Sequence, residues 1–394
     1  MERRSFLKKA GAGLAAGAAV GLAACGKKEE TSTSTPAASA PAAPAAPAIH
    51  SGEQIRWRLA SSFPKSLDTI FGAAETLSRN LAEATGGKFQ LTIHPAGELV
   101  PALGVLDAAQ QGTVECAHSA NYYFFGKDET FAFDCAIPFG MNSRGITAWM
   151  YEGNGLKLMR EFYAQYNIVN FPMGNTGAQM GGWYRKPIKS VADIKGLKMR
   201  IGGFGGKVLA AIGGVPQNIP GGEIYQALEK GTIDATEWVG PYDDEKLGFY
   251  KVAKHYYYPG WWEGGPQLSL YVNNKAWEGL PADYKAIVTA AASHAHVEMQ
   301  ARYDAKNPAA LKRLVANGAK LAAFDKSILK AAHDAAMQLY DELSAKNPNW
   351  KKVYADYAAF RDEQNLWFRF TEATFDNFMQ TGRSAPAKAA PKKK

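Results

Sequence analysis

The sequence contains little cysteine and no metal-binding arrangement of histidine and cysteine. Its three cysteines include no Cys-x-x-Cys pair, and its histidines are scattered along the chain. His294 and His296 stand two residues apart, which places them on different faces of a helix. A structural zinc site is therefore excluded. Cys116 and Cys135 would permit a disulfide in an oxidising compartment, but we interpret them as two small buried thiols in neighbouring strand-like segments.

The body of the chain also lacks a surplus of basic residues. The formal net charge is +8, but residues 1–24 carry a net +3 and four lysines at the C-terminus carry another +4. The remainder is therefore close to neutral, at about +1. A nucleic-acid-binding protein would carry its basic surplus in the folded part, so that class of function is excluded.

A hydrophobic run that could cross a membrane is missing from the start of the chain, because the apolar stretch over residues 10–24 is short and rich in glycine. The stretch follows Arg3-Arg4 and ends in Leu-Ala-Ala-Cys25. This pattern indicates a twin-arginine export signal over residues 1–24 and a lipobox whose Cys25 is lipidated. The alternative is an ordinary cleaved signal peptide with an incidental cysteine. In both cases the mature protein lies outside the inner membrane, in the periplasm.

Two segments have no large apolar residues with which to form a core. Residues 25–53 contain the run KKEETSTSTPAASAPAAPAAP, which predicts a disordered Pro/Ala tether between the lipid and a globular body. Residues 383–394 predict a disordered basic tail for the same reason. This arrangement is typical of a protein that is held to a membrane by a lipid anchor only and faces water.

The pattern of residues 54–119 predicts an α/β fold. Strands are expected at 54–60, 88–95 and 114–119, and helices at 67–85 and 101–111. This βαβαβ order implies parallel strands with helices on both faces of the sheet. Ligands of such sheets bind beyond the C-terminal ends of the strands, where Ser61, Ser62 and residues 120–123 fall.

The rest of the body continues the alternation of strands and helices. Further strands are expected at 167–173, 177–184, 198–201, 233–238 and 268–273. Residues 282–314 predict one helical stretch that breaks at Asn307-Pro308. The adjacent carboxylates of Asp243, Asp244 and Glu245 could bind a cation, but we interpret them as a solvated helix start.

Four polar residues stand at or beside predicted strand ends of this second series: Gln179, Arg200, Glu237 and Glu263. Each has glycines or aromatic residues beside it, and a charged side chain in such surroundings is costly to bury unless it is paired or coordinated. The arginine fork matches a ligand carboxylate. Two carboxylates and an amide oxygen form a hard, oxygen-rich set that suits Na⁺ or Ca²⁺. The alternative is that Arg200 pairs with a glutamate and that the aromatic residues fill a core.

The glycine-rich run over residues 202–207 does not fit a nucleotide site. A Walker loop would need Ser or Thr after Lys207, and residue 208 is valine. A dinucleotide fingerprint that started at Gly203 would need glycine at residue 208. The sequence also contains no recognisable Ser/His/Asp order and no activated cysteine.

Several motifs in a fixed order resemble those of the solute receptors of tripartite ATP-independent periplasmic (TRAP) transporters. They lie at residues 56–68, 175–183, 196–200, 231–242 and 261–266. The run Gly-Trp-Trp-Glu-Gly-Gly, which overlaps the last of them, is similar to the subgroup of these receptors that binds α-keto acids. The resemblance extends over residues 54–380, while the lipobox and the Pro/Ala tether depart from the plainly soluble members of the family.

The resemblance implies a role for each residue of the candidate site. Arg200 would bind the ligand carboxylate, with Gln179 and the phenols of Tyr122 and Tyr123 completing the substrate site. The oxygen atoms expected to hold Na⁺ or Ca²⁺ together with the ligand belong to Gln179, Glu237, the main chain of Trp238, and Glu263. A cation that accepts a carboxylate oxygen and the adjacent keto or hydroxyl oxygen would select 2-oxo and 2-hydroxy acids, such as pyruvate or lactate, over simple monocarboxylates.

The resemblance also implies a periplasmic-binding-protein-like α/β fold, with two lobes, a hinge between them and a long C-terminal helix. We expect residues 54–174 with 264–320 to form lobe I, and residues 175–263 with 321–382 to form lobe II and a dimerisation helix. Ligand binding would close the cleft between the lobes by a hinge motion.

The C-terminal region carries too many aromatic residues, at steps of three and four, for a helix that is exposed to solvent. The residues concerned are Trp350, Val353, Tyr354, Tyr357, Phe360, Leu366, Trp367, Phe370 and Phe378. We interpret this face as the contact of a homodimer. Packing on the body of the same chain is the alternative.

Two classes of function remain open at this point. The first is a non-catalytic receptor that delivers a small organic acid to an integral-membrane TRAP permease. The second is a cation-dependent exported enzyme that acts on a 2-oxo acid. An enzyme would need a base with a displaced pKa near its substrate, and no histidine falls in the motifs. We therefore predict a receptor without catalytic residues.

Overall fold

The computed structural model describes residues 52–381. The predicted export signal, Cys25, most of the predicted tether and the basic tail lie outside the described residues. Within residues 52–381, no helix combines the length and the apolar character that crossing a membrane requires.

Strands and helices alternate along the chain and are numbered in its order. The strands are β1 (Ile55–Ser61), β2 (Phe89–His94), β3 (Cys116–Ser119), β4 (Ile168–Asn175), β5 (Trp183–Tyr184), β6 (Lys198–Arg200), β7 (Val215–Gln217), β8 (Ala235–Thr236), β9 (His255–Tyr258), β10 (Gln267–Asn273) and β11 (Lys320–Ala323). The helices are α1 (Gly72–Ala84), α2 (Val105–Gln110), α3 (Ser143–Tyr151), α4 (Gly155–Ala164), α5 (Gly203–Ala211), α6 (Ile224–Glu229), α7 (Pro241–Leu247), α8 (Asn274–Glu278), α9 (Ala282–Ala316), α10 (Lys326–Lys346), α11 (Pro348–Phe370) and α12 (Glu372–Thr381). This composition confirms the predicted α/β class.

The strands form two sheets. The first has the order β2-β1-β3-β10-β4, in which β1 pairs in parallel with β2 and β3. The second has the order β11-β9-β5-β8-β6-β7, in which β6 pairs in parallel with β7 and β8. The parallel β1, β2 and β3 confirm the βαβαβ opening that the sequence predicts.

Local chemistry explains the first β–α unit. In β1, Trp57 and Leu59 are buried while Arg58 between them is exposed and pairs with Glu115 at 2.8 Å. Helix α1 ends just before residues 86–87, two glycines with positive φ values of 58° and 81°. Glycine adopts this conformation without a Cβ clash, so the chain can leave the helix and enter β2.

Besides the segment that carries α8 and α9, two short crossing segments connect the sheets, and these two contact each other. One joins β4 to β5 over residues 176–182, and the other joins β9 to β10 over residues 259–266. The N–H of Gln179 donates a hydrogen bond to the carbonyl of Glu263 at 3.2 Å, and the N–H of Gly260 donates to the carbonyl of Gln179 at 2.9 Å. The crossings therefore hold two of the predicted cation ligands on adjacent backbone segments between the sheets.

The strand predicted at residues 177–184 is wrong for most of its length, because only Trp183–Tyr184 forms a strand. Gly177 and Gly182 have positive φ values of 68° and 82°, which interrupt extended backbone. A Cβ at residue 182 would lie 2.3 Å from the carbonyl oxygen of Thr236. Glycine is therefore required for the close approach of this crossing to β8.

The break predicted at Asn307-Pro308 is also wrong, because α9 continues through this proline. A proline inside a helix removes a backbone hydrogen bond and costs about 3 kcal/mol. Packing offsets this cost, since α9 contacts α1, α7 and β4, and Tyr303 and Ala310 on either side of the proline are fully buried.

The C-terminal helices have a buried part and an exposed part. Trp350, Val353 and Tyr357 of α11 are buried against the body of the same chain, so the dimer interpretation is wrong for these three residues. The Tyr357 hydroxyl accepts a hydrogen bond from the N–H of Met141 at 2.8 Å. Helix α10 contacts α5, whereas α11 contacts α3 and α4, so residues 321–382 pack against elements associated with both sheets. Beyond this buried part, the apolar side chains that remain exposed are Leu366, Trp367, Phe370, Phe375 and Phe378.

Cys116 and Cys135 remain separate in the fold. Both are free thiols, and both are fully buried. Burial raises the pKa of each thiol above its ordinary value, which makes them unreactive. This confirms the interpretation of the two cysteines as small core residues.

Asp243 and Asp244 are buried, so the prediction of a solvated helix start is wrong for both. Asp244 accepts hydrogen bonds from the indole N–H of Trp183 at 2.9 Å and from the hydroxyl of Tyr256 at 2.6 Å. Asp243 accepts one from the hydroxyl of Tyr303 at 2.6 Å. These aromatic donors come from distant parts of the chain, and they make burial of the two carboxylates tolerable.

Candidate functional site

Arg200 is the last residue of β6, and only 1% of it is exposed. Its Nε donates a hydrogen bond to the carbonyl of Ile219 at 3.0 Å, and its Nη1 donates to the carbonyl of Glu237 at 3.1 Å and pairs with the Glu237 carboxylate. The guanidinium also lies over the ring of Trp238, 5.0 Å from the ring centroid. Protein acceptors therefore engage both Nε and Nη1 and fix the side chain.

The Nη2 group of the guanidinium remains available for a ligand. Nη2 contacts only the hydroxyl of Tyr123, at a long distance of 3.4 Å, among the hydrogen bonds of the described residues. Although burial lowers the pKa of Arg200, the charge of Glu237 holds that pKa above its ordinary value. A permanent positive charge with free donors is the arrangement that binds a carboxylate.

Glu237 and Glu263 are both buried and interact electrostatically. Oε1 of Glu237 accepts hydrogen bonds from Arg200 and from the N–H of Gly202, the latter at 2.9 Å. Burial raises the pKa of Glu237, and Arg200 opposes this shift. Burial raises the pKa of Glu263 well above its ordinary value, and the neighbouring Glu237 carboxylate raises it further. Two carboxylates thus share one arginine, which leaves an excess of negative charge when both are ionised.

Three buried oxygen atoms of the site have no hydrogen-bond partner within residues 52–381. They are Oε1 of Gln179, Oε2 of Glu237 and Oε2 of Glu263. An unpaired buried oxygen costs about 1–3 kcal/mol, and more when it is charged. An oxygen-binding cation such as Na⁺ or Ca²⁺ would satisfy all three and offset the negative charge. The donor set therefore fits the predicted cation.

This donor set differs from a conventional metal site that is built from acidic side chains. The described residues contain no group of three His, Cys, Asp or Glu side chains arranged to hold a metal ion. A cation here would need amide and main-chain oxygens beside the two carboxylates. Gln179 and the carbonyl of Trp238, both predicted ligands, can supply them.

Tyr122 and Tyr123 lie in a short 3₁₀ turn that follows β3. The ring of Tyr122 packs on the glycines at the start of α5, and a Cβ at Gly203 would lie 2.5 Å from Tyr122. Burial raises the pKa of Tyr123 to about 12, and it also raises that of Tyr122. Both phenols are therefore protonated at neutral pH and can donate hydrogen bonds to an anion. The glycine-rich run at 202–207 thus makes room for a tyrosine ring.

A small cavity joins these groups. Five of the predicted site residues line it, namely Tyr122, Tyr123, Gln179, Arg200 and Trp238. Glu237 lies against Arg200 in the wall, and Glu263 interacts with Glu237 and Tyr122. The remaining lining is apolar except for Thr176 and consists of Phe63, Ile70, Ala120, Val239, Pro266 and Leu268. The chemical character of this lining matches a small molecule with one carboxylate end and a short apolar body.

Sequence reasoning missed several groups that shape the cavity. Thr176 stands beside Gln179, Phe63 belongs to the apolar wall, and the carbonyl of Ile219 fixes Arg200. Thr176 and Phe63 both occur inside the motifs at 175–183 and 56–68, so the motifs themselves contained that signal. Ile219 contributes only a backbone atom, which no sequence pattern would reveal.

Comparison with known proteins places these features among solute-binding proteins. Residues 60–347 match the model of the bacterial extracellular solute-binding protein family 7 (DctP). The chain is 46% identical to a monocarboxylate 2-oxoacid-binding periplasmic protein of Nostoc sp. over 383 residues, which covers 97% of this chain and 100% of that protein.

Solved structures of similar sequence have the same fold. A TRAP transporter solute-binding protein from Bordetella bronchiseptica is 50% identical, with a TM-score of 0.83 over 84% of this chain and 98% of that one. It is described as a mixed-occupancy dimer with copurified calcium and picolinate in one active site and an apo second site. A TRAP solute-binding protein from Pseudoalteromonas atlantica with bound sodium and pyruvate is 40% identical, with a TM-score of 0.80 over 82% of this chain and 99% of that one.

Proposed function

The chain belongs to family 7 of the bacterial extracellular solute-binding proteins, and on that premise we propose that its cavity binds a short 2-oxo or 2-hydroxy monocarboxylate together with Na⁺ or Ca²⁺. The chain is a solute receptor of the TRAP type rather than an enzyme, as are its relatives. Delivery of the acid to a TRAP permease is part of the proposal.

The observation that carries the proposal is the set of unpaired buried oxygens beside Arg200. Gln179, Glu237 and Glu263 each present one such oxygen. Without a cation, two glutamates and an anionic ligand would face a single arginine. With a cation, the carboxylate oxygen and the 2-oxo oxygen of the ligand can both coordinate the ion, while Arg200 binds the carboxylate through Nη2.

This arrangement predicts selectivity for acids that carry an oxygen atom on the carbon next to the carboxylate. A simple carboxylate such as acetate offers the cation no second oxygen at the adjacent carbon, so a coordination position would be left unfilled. Sites built to bind a polar substrate atom reject analogues that lack it. The Nostoc relative is named for 2-oxoacids, and the Pseudoalteromonas structure contains pyruvate with sodium, which supports the same ligand class here.

Titration of pyruvate and of acetate, followed by tryptophan fluorescence, tests the proposal. Trp238 lines the cavity and can report binding. We expect pyruvate to saturate the signal and acetate to bind at least about tenfold more weakly. Pyruvate recovered by chromatography after incubation should be chemically intact. Equal binding of acetate would contradict the chelated-cation arrangement, and consumption of pyruvate would indicate an enzyme.

The lobe boundaries are also a proposal. Lobe I comprises residues 54–174 with 264–320, and lobe II comprises residues 175–263 with most of the segment 321–382. The membership of β10 in the first sheet and of β11 in the second supports this division. The contacts of α11 with α3 and α4 favour assigning α11 to lobe I. The crossings would form the hinge, and opening would separate Tyr123 from Arg200, which are in contact in this structure.

We propose a lipid anchor at Cys25 and a position in the periplasm for the body. The support is the twin-arginine and lipobox sequence together with the Pro/Ala tether. The variant Cys25→Ser should move the protein from the membrane fraction to the soluble periplasmic fraction. A wild-type protein that already fractionates as soluble would contradict the anchor.

We further propose that the exposed end of α11 and α12 forms a homodimer contact. Trp367, Phe370 and Phe378 are 58%, 70% and 70% exposed, which is unfavourable for large apolar side chains in water. The Bordetella relative, described as a dimer, supports a second copy of the chain as the partner.

A further inference from the structure

The amide of Gln179 can serve a cation in only one of its two orientations. Its Oε1 can coordinate a positive ion, whereas its NH₂ group would repel one. The side chain is buried, so no bulk water is available to compensate for the wrong orientation. Some neighbouring group must therefore determine which end of the amide faces the candidate cation.

Thr176 occupies the position from which the amide can be oriented. It is buried at the start of the crossing that carries Gln179, and its Oγ1 lies 3.2 Å from Nε2 of Gln179. Oε1 of Gln179 has no partner within the described residues, as expected for an atom directed to a ligand.

The hydroxyl of Thr176 can only accept from this amide. A hydroxyl has one proton, and Thr176 donates it to the carbonyl of Gly177 at 2.8 Å. The turn around it is fixed, because the N–H of Gly177 donates to Oδ1 of Asn175 and the N–H of Thr176 donates to the carbonyl of Pro266. With its proton engaged, Oγ1 favours the NH₂ end of the amide and would repel the oxygen end.

We propose that Thr176 is a positioning residue that presents Oε1 of Gln179 to the bound cation. The inference rests on the proposed cation site. It differs from a role in ligand contact, because Thr176 acts through the amide of Gln179. Partners of metal ligands commonly influence affinity by about tenfold to a hundredfold.

Binding of Ca²⁺ alone to chelator-treated protein, measured by calorimetry without any organic acid, tests the proposal. Thr176→Val keeps the shape of the side chain and removes the hydroxyl, and it should weaken Ca²⁺ binding by about tenfold. Thr176→Ser keeps the hydroxyl and should restore affinity to within about threefold of wild type. Thr176→Ala serves as a second hydroxyl-free variant where the valine variant folds poorly. Unchanged Ca²⁺ affinity in a folded hydroxyl-free variant would overturn the proposal.

A double-substitution cycle distinguishes orientation from general support of the fold. In the Gln179→Glu variant both terminal atoms are oxygens, so no orientation needs to be selected. Adding Thr176→Val to that variant should then cost nothing in Ca²⁺ affinity, or improve it by removing a repulsive oxygen. If Thr176→Val costs as much in the Gln179→Glu variant as it does in the wild-type protein, its role is direct or structural and the inference is overturned.

Gln179→Ala separates this inference from the proposed function. A marked loss of Ca²⁺ affinity in this variant, together with no loss in Thr176→Val, refutes the role of Thr176 alone. Unchanged Ca²⁺ affinity in Gln179→Ala shows that Gln179 is not a ligand, so the inference fails, whereas absence of Ca²⁺ binding to the wild-type protein refutes the cation site itself.

Discussion

Arg200 has two tasks that the structure assigns to different nitrogen atoms of its guanidinium. Nη1 balances the buried Glu237 carboxylate, and Nη2 is free apart from the long contact with Tyr123. Removing the whole side chain would leave Glu237 uncompensated, at a cost of about 3–5 kcal/mol in stability. A sharper substitution keeps the charge and removes only the fork.

We therefore predict that Arg200→Lys weakens pyruvate binding by about 2–5 kcal/mol, or roughly thirtyfold or more, while the protein remains folded. Lysine can still pair with Glu237, but its single ammonium nitrogen cannot also reach the ligand carboxylate as the planar guanidinium does. Calorimetry measures the affinity. Arg313→Lys is the matched control, since Arg313 is an exposed residue paired with Glu245, and it should bind like wild type. An affinity within threefold of wild type for Arg200→Lys would contradict the assignment.

Asp244 illustrates a residue whose environment is invisible in the sequence. Burial raises its pKa to about 7 from an ordinary value of 3.8, although Tyr256 and Trp183 donate hydrogen bonds to the charged form. The folded state therefore binds this proton more tightly than the unfolded state. The resulting stability is fully present below about pH 4 and is lost as the pH rises through about 7.

Asp244→Asn should make the dependence of stability on pH shallower between about pH 4 and pH 7, by an amount on the order of a few kcal/mol. The amide oxygen can still accept from both aromatic donors. Urea unfolding at pH 4.5, 6.0 and 7.5 provides the measurement. Asp334→Asn, at an exposed position beside Lys330, should keep the wild-type slope over this range. An unchanged slope in Asp244→Asn would show that the carboxyl is not a main source of the pH dependence.

The burial of the site residues could be inferred from the sequence, whereas the burial of Asp243 and Asp244 could not. Arg200 and Glu263 were recognisable because glycines and aromatic residues stand close beside them, and this local pattern is readable. The partners of Asp244 come from β5 and β9, which only the folded chain brings together. Its burial could therefore not be predicted from neighbours in sequence.

At the scale of elements, the strands of the first sheet were predictable and the crossings were not. Turn residues and glycines bound the strands β1, β2 and β3. Within each strand, apolar residues either alternate with polar ones or follow one another. The crossing over residues 176–182 is held by backbone contacts with the other crossing, and its irregular conformation depends on that partner. Helix α9 continues through Pro308 for the same reason, because packing outweighs a local preference.

The terminal helices carry a prediction of their own. The double variant Trp367→Ser with Phe378→Ser should convert a dimer to a monomer, because it removes two large exposed apolar side chains from the proposed contact. Light scattering after gel filtration measures the mass. The matched control, Val215→Ser with Leu321→Ser, changes two exposed apolar positions on edge strands and should leave the dimer intact. A wild-type protein that is monomeric at micromolar concentration would contradict the contact.

At the scale of the whole molecule, the site depends on both sheets at once. Tyr122 and Tyr123 follow a strand of the first sheet, Arg200 and Glu237 lie at the ends of strands of the second, and Gln179 and Glu263 lie on the crossings between them. Contacts from all three regions to one ligand and one cation would couple binding to lobe closure. The family resemblance predicted this convergence, but the strand spacing alone did not.

The central claim is that the cation is part of the recognition site. The direct test is calorimetric titration of pyruvate into chelator-treated protein in potassium buffer, repeated after addition of Na⁺ or Ca²⁺. We predict weak or undetectable binding in potassium alone and saturable binding once the ion is added, because the ion offsets the negative charge of Glu237 and Glu263 and bridges them to the acid. Equal affinity for pyruvate under all of these conditions would contradict the account and would leave Arg200 alone to explain recognition.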